Sequence, residues 1–178
     1  MKRYLLSIAC AFLTACTAIP EKIEPIKNFD TNRYLGTWYE IARLDHSFER
    51  GLSNVSATYS FNDDGSIQVI NRGWNEEEQS WSEALGKAKF VQDPSIGHLK
   101  VSFFGPFYSS YVIFYLEPDY STALVSGYNN DYFWILSRHT KVPDYKLKKY
   151  LRIAQQAGFD TQSLLFPFTP PQVKDRSE

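Results

Sequence analysis

The sequence predicts an all-β fold: an eight-stranded antiparallel up-and-down barrel with an N-terminal helical plug and one C-terminal α-helix packed outside. Three observations carry that expectation. Short runs with a two-residue apolar alternation recur from Thr37 to Arg138, and turn signals separate them at short, regular spacing. The one long stretch with helical spacing comes only after the last of these runs. Aromatic residues make up 16% of the chain, which suits strands, apolar cavities and interfaces without choosing among them. A length of 178 residues, a net charge of -1 and a pI of 6.3 fit one domain and argue against a nucleic-acid partner held by a basic surface.

Lys2 and Arg3 precede an apolar run from Tyr4 to Leu13, with Thr14 and Ala15 after it, so residues 1–15 read as a secretory signal peptide too short to span a bilayer. Leu13-Thr14-Ala15-Cys16 resembles the bacterial lipobox, in which the cysteine is acylated and becomes the first mature residue. A eukaryotic signal peptide with a chance cysteine is the alternative. Cys10 would leave with the signal, and an acylated Cys16 would leave no free thiol for disulfide, zinc or redox chemistry. Several acyl chains on one residue anchor stably, and Thr17 in place of an aspartate after the cysteine favours the outer membrane, with the domain facing the periplasm. Residues 16–27 then read as a tether of roughly 40 Å when extended.

The barrel domain is expected over residues 28–169. Asp30 and Thr31 cap a single turn, Gly36 permits a sharp exit, and Thr37 to Leu44 has strand composition. On that strand Trp38, Glu40 and Ala42 share one face, and Tyr39, Ile41 and Arg43 the other. A tryptophan here suits either the closed floor of a barrel or an ordinary sheet core, and Gly36-x-Trp38 alone does not decide. Val55 to Phe61 and Ile67 to Asn71 form a hairpin through Asn62-Asp63-Asp64-Gly65. Further strands are expected over 81–91, 99–104, 111–117, 123–128 and 132–138, parted by Asp93-Pro94, Gly105-Pro106, Glu117-Pro118-Asp119 and Asn129-Asn130-Asp131. Pro143 opens a helix whose apolar stripe is Leu147, Tyr150, Leu151 and Ala154 and whose stop is Gly158. Lys146, Lys148, Lys149 and Arg152 lie away from that stripe, on a face that is either solvated or apposed to anionic lipid. Residues 164–168 read as a short last strand and 170–178 as a disordered tail.

The ordered set Asn28-Phe29-Asp30, Arg33-Tyr34-Leu35-Gly36-Thr37-Trp38-Tyr39, Phe48-Glu49-Arg50-Gly51, Lys100 to Phe107 and Asp131 to Arg138 resembles the lipocalin family. It is most similar to the bacterial outer-membrane lipoprotein branch, itself similar to apolipoprotein D and plant temperature-induced lipocalins. The resemblance places Arg138 across the indole of Trp38 and implies that Gly36, Trp38 and Arg138 close the barrel rather than bind cargo.

The family's inward parity, carried onto this chain, implies a ligand site. The first three strands would contribute Ala42, then Val55, Ala57 and Tyr59, then Ile67, Val69 and Asn71. The fourth and fifth would add Ala84, Gly86, Ala88 and Phe90, then Leu99, Val101 and Phe103. Val112, Phe114 and Leu116 would follow, with Tyr132, Trp134 and Leu136 last. The Ala-Gly-Ala stripe at 84, 86 and 88 implies space that is empty or filled by a ligand. Glu40 on the inner face needs a partner, either a Tyr or Asn near the floor or a polar group of the ligand. The rim loops carry Phe48, Trp74, Phe104, Phe107, Tyr108 and Tyr128, which would touch a membrane, pack on a second copy in a homodimer, or merely cover the barrel.

The resemblance implies a lipid-anchored binder of fatty acids, lysophospholipids or similar amphiphiles, working by burial with no cofactor and no metal. A tetrapyrrole or terpenoid cargo is the alternative. Catalysis is not expected: His46, His98 and His139 fall in predicted turns or loops, and no Gly-x-Ser-x-Gly elbow occurs.

Overall fold

The computed structural model describes residues 17–168. The signal peptide, Cys16 with its expected acyl chains and the tail 170–178 lie outside the described residues. A single turn, α1 (Thr31–Tyr34), leads into β1 (Gly36–Arg43), β2 (Leu52–Phe61), β3 (Ile67–Asn75) and β4 (Ser80–Phe90). Then come β5 (His98–Phe104), β6 (Phe107–Leu116), β7 (Thr122–Ser126), β8 (Phe133–Ser137) and α2 (Asp144–Gln156). Every strand pairs antiparallel with its sequence neighbour, and β1 pairs with β8, so the sheet closes and has no free side. Odd strands run from floor to mouth and even strands return. The mouth is therefore ringed by 44–51, 76–79, 105–106 and 127–132, and the floor is sealed by α1.

Two apolar clusters share the wall. Trp38, Tyr34, Tyr59, Val69, Ala88 and Leu99 gather inside the lower barrel. Ile41, Ala42, Val112, Leu124, Phe133 and Ile135 face outward, under Tyr150 and Ala154 of α2. The stripe predicted for the helix is thus the face it buries, while Lys149 on its other side pairs with Glu117 at 3.0 Å near the floor.

The inward parity expected for two strands is corrected, on β1 by a bulge. β1 pairs Glu40 with Leu136 but Ala42 with Ile135, so one extra residue is accommodated at Ile41. Ala42 consequently packs outward with the helix cluster, and Arg43 turns in. On β6, Tyr111 faces the cavity and Val112 and Phe114 pack outward against α2, opposite to expectation. A second bulge between Ile113 and Tyr115 then returns Leu116 to the inner cluster. Both faces of β6 are apolar because both are covered, so alternation there carried no signal.

Two further expectations change. Residues 164–168 do not form a strand; Leu165 makes one isolated bridge with Arg43, bonded both ways at 2.8 and 3.0 Å. Nor is the segment before α1 a free tether. Ile26 donates to Ile113 O and accepts from Gly97 N–H, each at 2.9 Å, Lys27 bridges Ile96, and Ile23 is buried in the outer cluster. Lys22 lies beside Gly158, whose carbonyl accepts from Asn130 of the 127–132 mouth loop at 3.0 Å. Read from Lys22 to Phe29, the chain descends the outer wall from mouth to floor.

Candidate ligand-binding site

The floor is built from the plug and the first strand. Gly36 sits at φ +93°, which an L side chain rarely adopts, and lets the chain turn from α1 into β1. Trp38 is fully buried and donates Nε1–H to Tyr34 O at 2.8 Å. Above its indole, 3.9 Å from the ring centre, lies the Arg138 guanidinium. That guanidinium also donates to the carbonyls of Arg33, Tyr34, Leu35 and Thr37 at 2.8–3.0 Å, meeting the acceptors that a single helical turn leaves unpaired. Tyr34, Tyr111 and Tyr59 join hydroxyls in a chain at 2.8 and 2.9 Å, and burial pushes all three phenols up.

Above this floor opens a cavity of about 480 Å³. Val55, Ala57, Tyr59, Val69, Asn71, Ala84, Ala88, Leu99, Val101, Phe103, Tyr132 and Trp134 all line it. Phe90 instead packs beneath, 6.2 Å from Phe29 in the floor cluster. Gly86 does not leave open space: a Cβ there would meet Phe103 Cε1 at 2.7 Å, so the phenyl ring occupies what the glycine vacates. Room for cargo comes from Ala57, Ala84 and Ala88. Asn71 Oδ1 has no hydrogen-bond partner among the described residues.

Glu40 pairs with neither a tyrosine nor an asparagine of the floor but with an arginine. The β1 bulge brings in Arg43, which donates to Glu40 Oε1 at 2.7 Å and to the Glu49 carbonyl at 2.9 Å. The Glu49 carboxylate reaches the same spot from the 44–51 loop, accepts from Trp134 Nε1–H at 3.2 Å and lies 3.2 Å from His46 Nε2. One arginine thus faces two buried carboxylates. Burial raises both carboxyls, the Glu49 charge adding to the rise at Glu40 and Arg43 opposing it at each. His46 stacks on Phe48 at 4.0 Å, and burial with the nearby Arg43 charge lowers its pKa to about 4. Two of the three histidines expected in turns or loops are interior: His46 within the 44–51 loop, and His98, which lies on β5 and is bonded to Ser110 Oγ at 2.8 Å. Glu49 and Arg43 were not singled out from the sequence. The available signal was the need of an inward Glu40 for a cation, with Arg43 three residues on.

A site closed below, open above and walled mainly by carbon can exclude water from an apolar molecule. Residues 29–168 match the family model described as a lipocalin-like domain. The chain is 50% identical over 167 residues to the outer membrane lipoprotein Blc of Vibrio cholerae, covering 93% of this chain and 98% of the relative. It is 30% identical over 154 residues to temperature-induced lipocalin-1 of Arabidopsis thaliana, covering 81% of each. Among solved structures, insecticyanin from the tobacco hornworm superposes with a TM-score of 0.67 at 16% identity, over 86% of this chain and 88% of that one, a likeness of fold alone. The chain is accordingly a binder of hydrophobic ligands at the outer membrane, and it belongs to the lipocalin family, in the branch of the bacterial outer-membrane lipoproteins.

Proposed function

We propose that this protein stores or moves single-chain amphiphiles, fatty acids or lysophospholipids, at the outer membrane, held there through acyl chains on Cys16. The observation that carries the reading is the shape of the cavity: about 480 Å³, sealed by Trp38 and the tyrosine chain, and walled by Ala57, Val69, Ala88 and Val101. At about 0.8 kcal/mol per methylene, a long acyl chain gains on the order of 10 kcal/mol before association entropy is subtracted, which supports micromolar or tighter binding. The work is equilibrium burial, with no bond made or broken. Native mass spectrometry of the domain purified without detergent, followed by lipid extraction, tests this. Bound fatty acid or lysophospholipid is the expected result. An empty barrel that also rejects added lysophospholipid refutes it, and visible absorption would point instead to a pigment.

A further inference from the structure

We propose that the mouth of the barrel docks on the phospholipid surface, with the tip of the β5–β6 hairpin inserted, so that cargo passes between bilayer and cavity without crossing water. The inference rests on the reading of Cys16 as the membrane anchor. Three of the four mouth loops present large apolar side chains to solvent. Phe104 and Phe107 at the hairpin tip are 79% and 78% exposed, Phe48 is 54% exposed and Tyr128 39%. Aromatic rings so placed match the headgroup level of a membrane. The fourth loop carries Glu76, Glu77 and Glu78, all exposed, so the mouth meets lipid tilted, with the hairpin side lower.

The course of the chain selects this partner over a second copy. From the floor, Phe29 to Lys22 climbs the outer wall to the level of Asn130 in the mouth loop, held by the Ile26 bonds and buried Ile23. Cys16 lies six residues before Lys22, a reach of at most about 22 Å. The anchor point is thus tied to the open end. The floor turns, by contrast, expose Asp63, Asp64, Asp93 and Asp119, which do not suit lipid.

The β4–β5 ladder also stops short of the exposed hairpin tip. β4 and β5 pair only from Lys87–Phe90 to Leu99–Ser102. Above that level Ala84 is exposed while lining the cavity, two residues along the strand from Gly86 and the Phe103 ring packed on it. A hairpin tip seated in the headgroups brings this edge of the mouth to the lipid surface, where an acyl chain can slide in.

The test uses the mature acylated protein in vesicles of phosphatidylethanolamine and phosphatidylglycerol, some with brominated acyl chains. A single cysteine is placed at the hairpin tip, Gly105→Cys, where a side chain meets nothing within 4 Å, or at the floor, Asp63→Cys, and labelled with an environment-sensitive fluorophore. Blue-shifted, bromine-quenched emission at 105 with unchanged emission at 63 is expected. A label at 105 that stays in water, or quenching at 63 instead, overturns the proposal. A second arm separates docking from anchoring: in the full mature chain carrying Cys16→Ser, Phe104→Ser with Phe107→Ser lowers vesicle binding by about tenfold per phenylalanine. Unchanged binding overturns docking. Mass spectrometry showing Cys16 unmodified removes the anchor, and the second arm still decides the docking.

Discussion

Replacing Arg138 with alanine isolates what closes the barrel. The guanidinium donates to four carbonyls, three of them from the end of α1, and lies 3.9 Å above Trp38. A hydrogen bond from a charged donor contributes roughly 1.5–3 kcal/mol and the cation–π contact about 0.5–2. The four bonds share one group, and Arg138 is partly exposed, so water replaces some of what is lost and the terms do not sum. The loss is set at about 3 kcal/mol, or a fall in Tm of about 6–12 °C for a domain of this size. Arg138→Lys keeps the charge without the planar fork and is expected to lose about half as much. Thermal unfolding followed by circular dichroism measures both, and extracted lipid is compared with wild type. A change below about 1 °C refutes the closure reasoning. An altered ligand spectrum in a still-folded Arg138→Ala protein refutes it differently, by making the floor part of the ligand site.

Three other outcomes follow from the interior. Ala57→Phe fills the cavity with volume equal to several methylenes and should weaken acyl-ligand binding by about a hundredfold, measured by displacement of a fluorescent fatty acid; unchanged affinity would place the ligand elsewhere. Tyr111→Phe removes the middle hydroxyl of the floor chain and strands those of Tyr34 and Tyr59, costing about 1–3 kcal/mol in urea unfolding. His46 is held neutral, so from its unfolded value near 6.5 down to about 4 the unfolded chain binds a proton that the folded one does not. Its contribution is full above 6.5 and lost as pH falls through that window. The stability gap between wild type and His46→Gln should therefore shrink by about 2–3 kcal/mol from pH 7.5 to 4.5. The raised carboxyls of Glu40 and Glu49 act with the opposite sign and are present in both proteins, so only the contact of Glu49 with His46 enters the comparison. A gap that does not change with pH would mean that His46 is not buried as the neutral form.

Strand number, strand order and the late helix were legible because each rests on local chemistry. Asn62 to Gly65 makes its turn whatever surrounds it, and Leu147, Tyr150, Leu151 and Ala154 repeat at helical spacing wherever the helix docks. The cavity faces of β2 and β3 came through the family's inward parity, and the alternation of Val55, Ala57 and Tyr59 with polar neighbours agrees with it. The end of β1 did not follow, nor did Val112 and Phe114 of β6, a strand covered on both faces. A bulge costs one residue of register and flips every side chain beyond it, and it is set by the partner strand, which no local pattern records.

What the sequence by itself determined is therefore the set of elements, their order and the residues of the floor, Gly36, Trp38 and Arg138, whose joint position came through the resemblance. The tertiary structure alone decided which way Ala42, Arg43, Val112 and Phe114 point, that Phe103 fills the space left by Gly86, and that Arg43 answers Glu40. It also decided that residues after Pro20 bind the wall and bring the chain back to the mouth. Turns and periodicity are local free energies, summed over a few neighbouring residues. Register, packing and the path of an irregular segment depend on surfaces that come together only when the barrel closes.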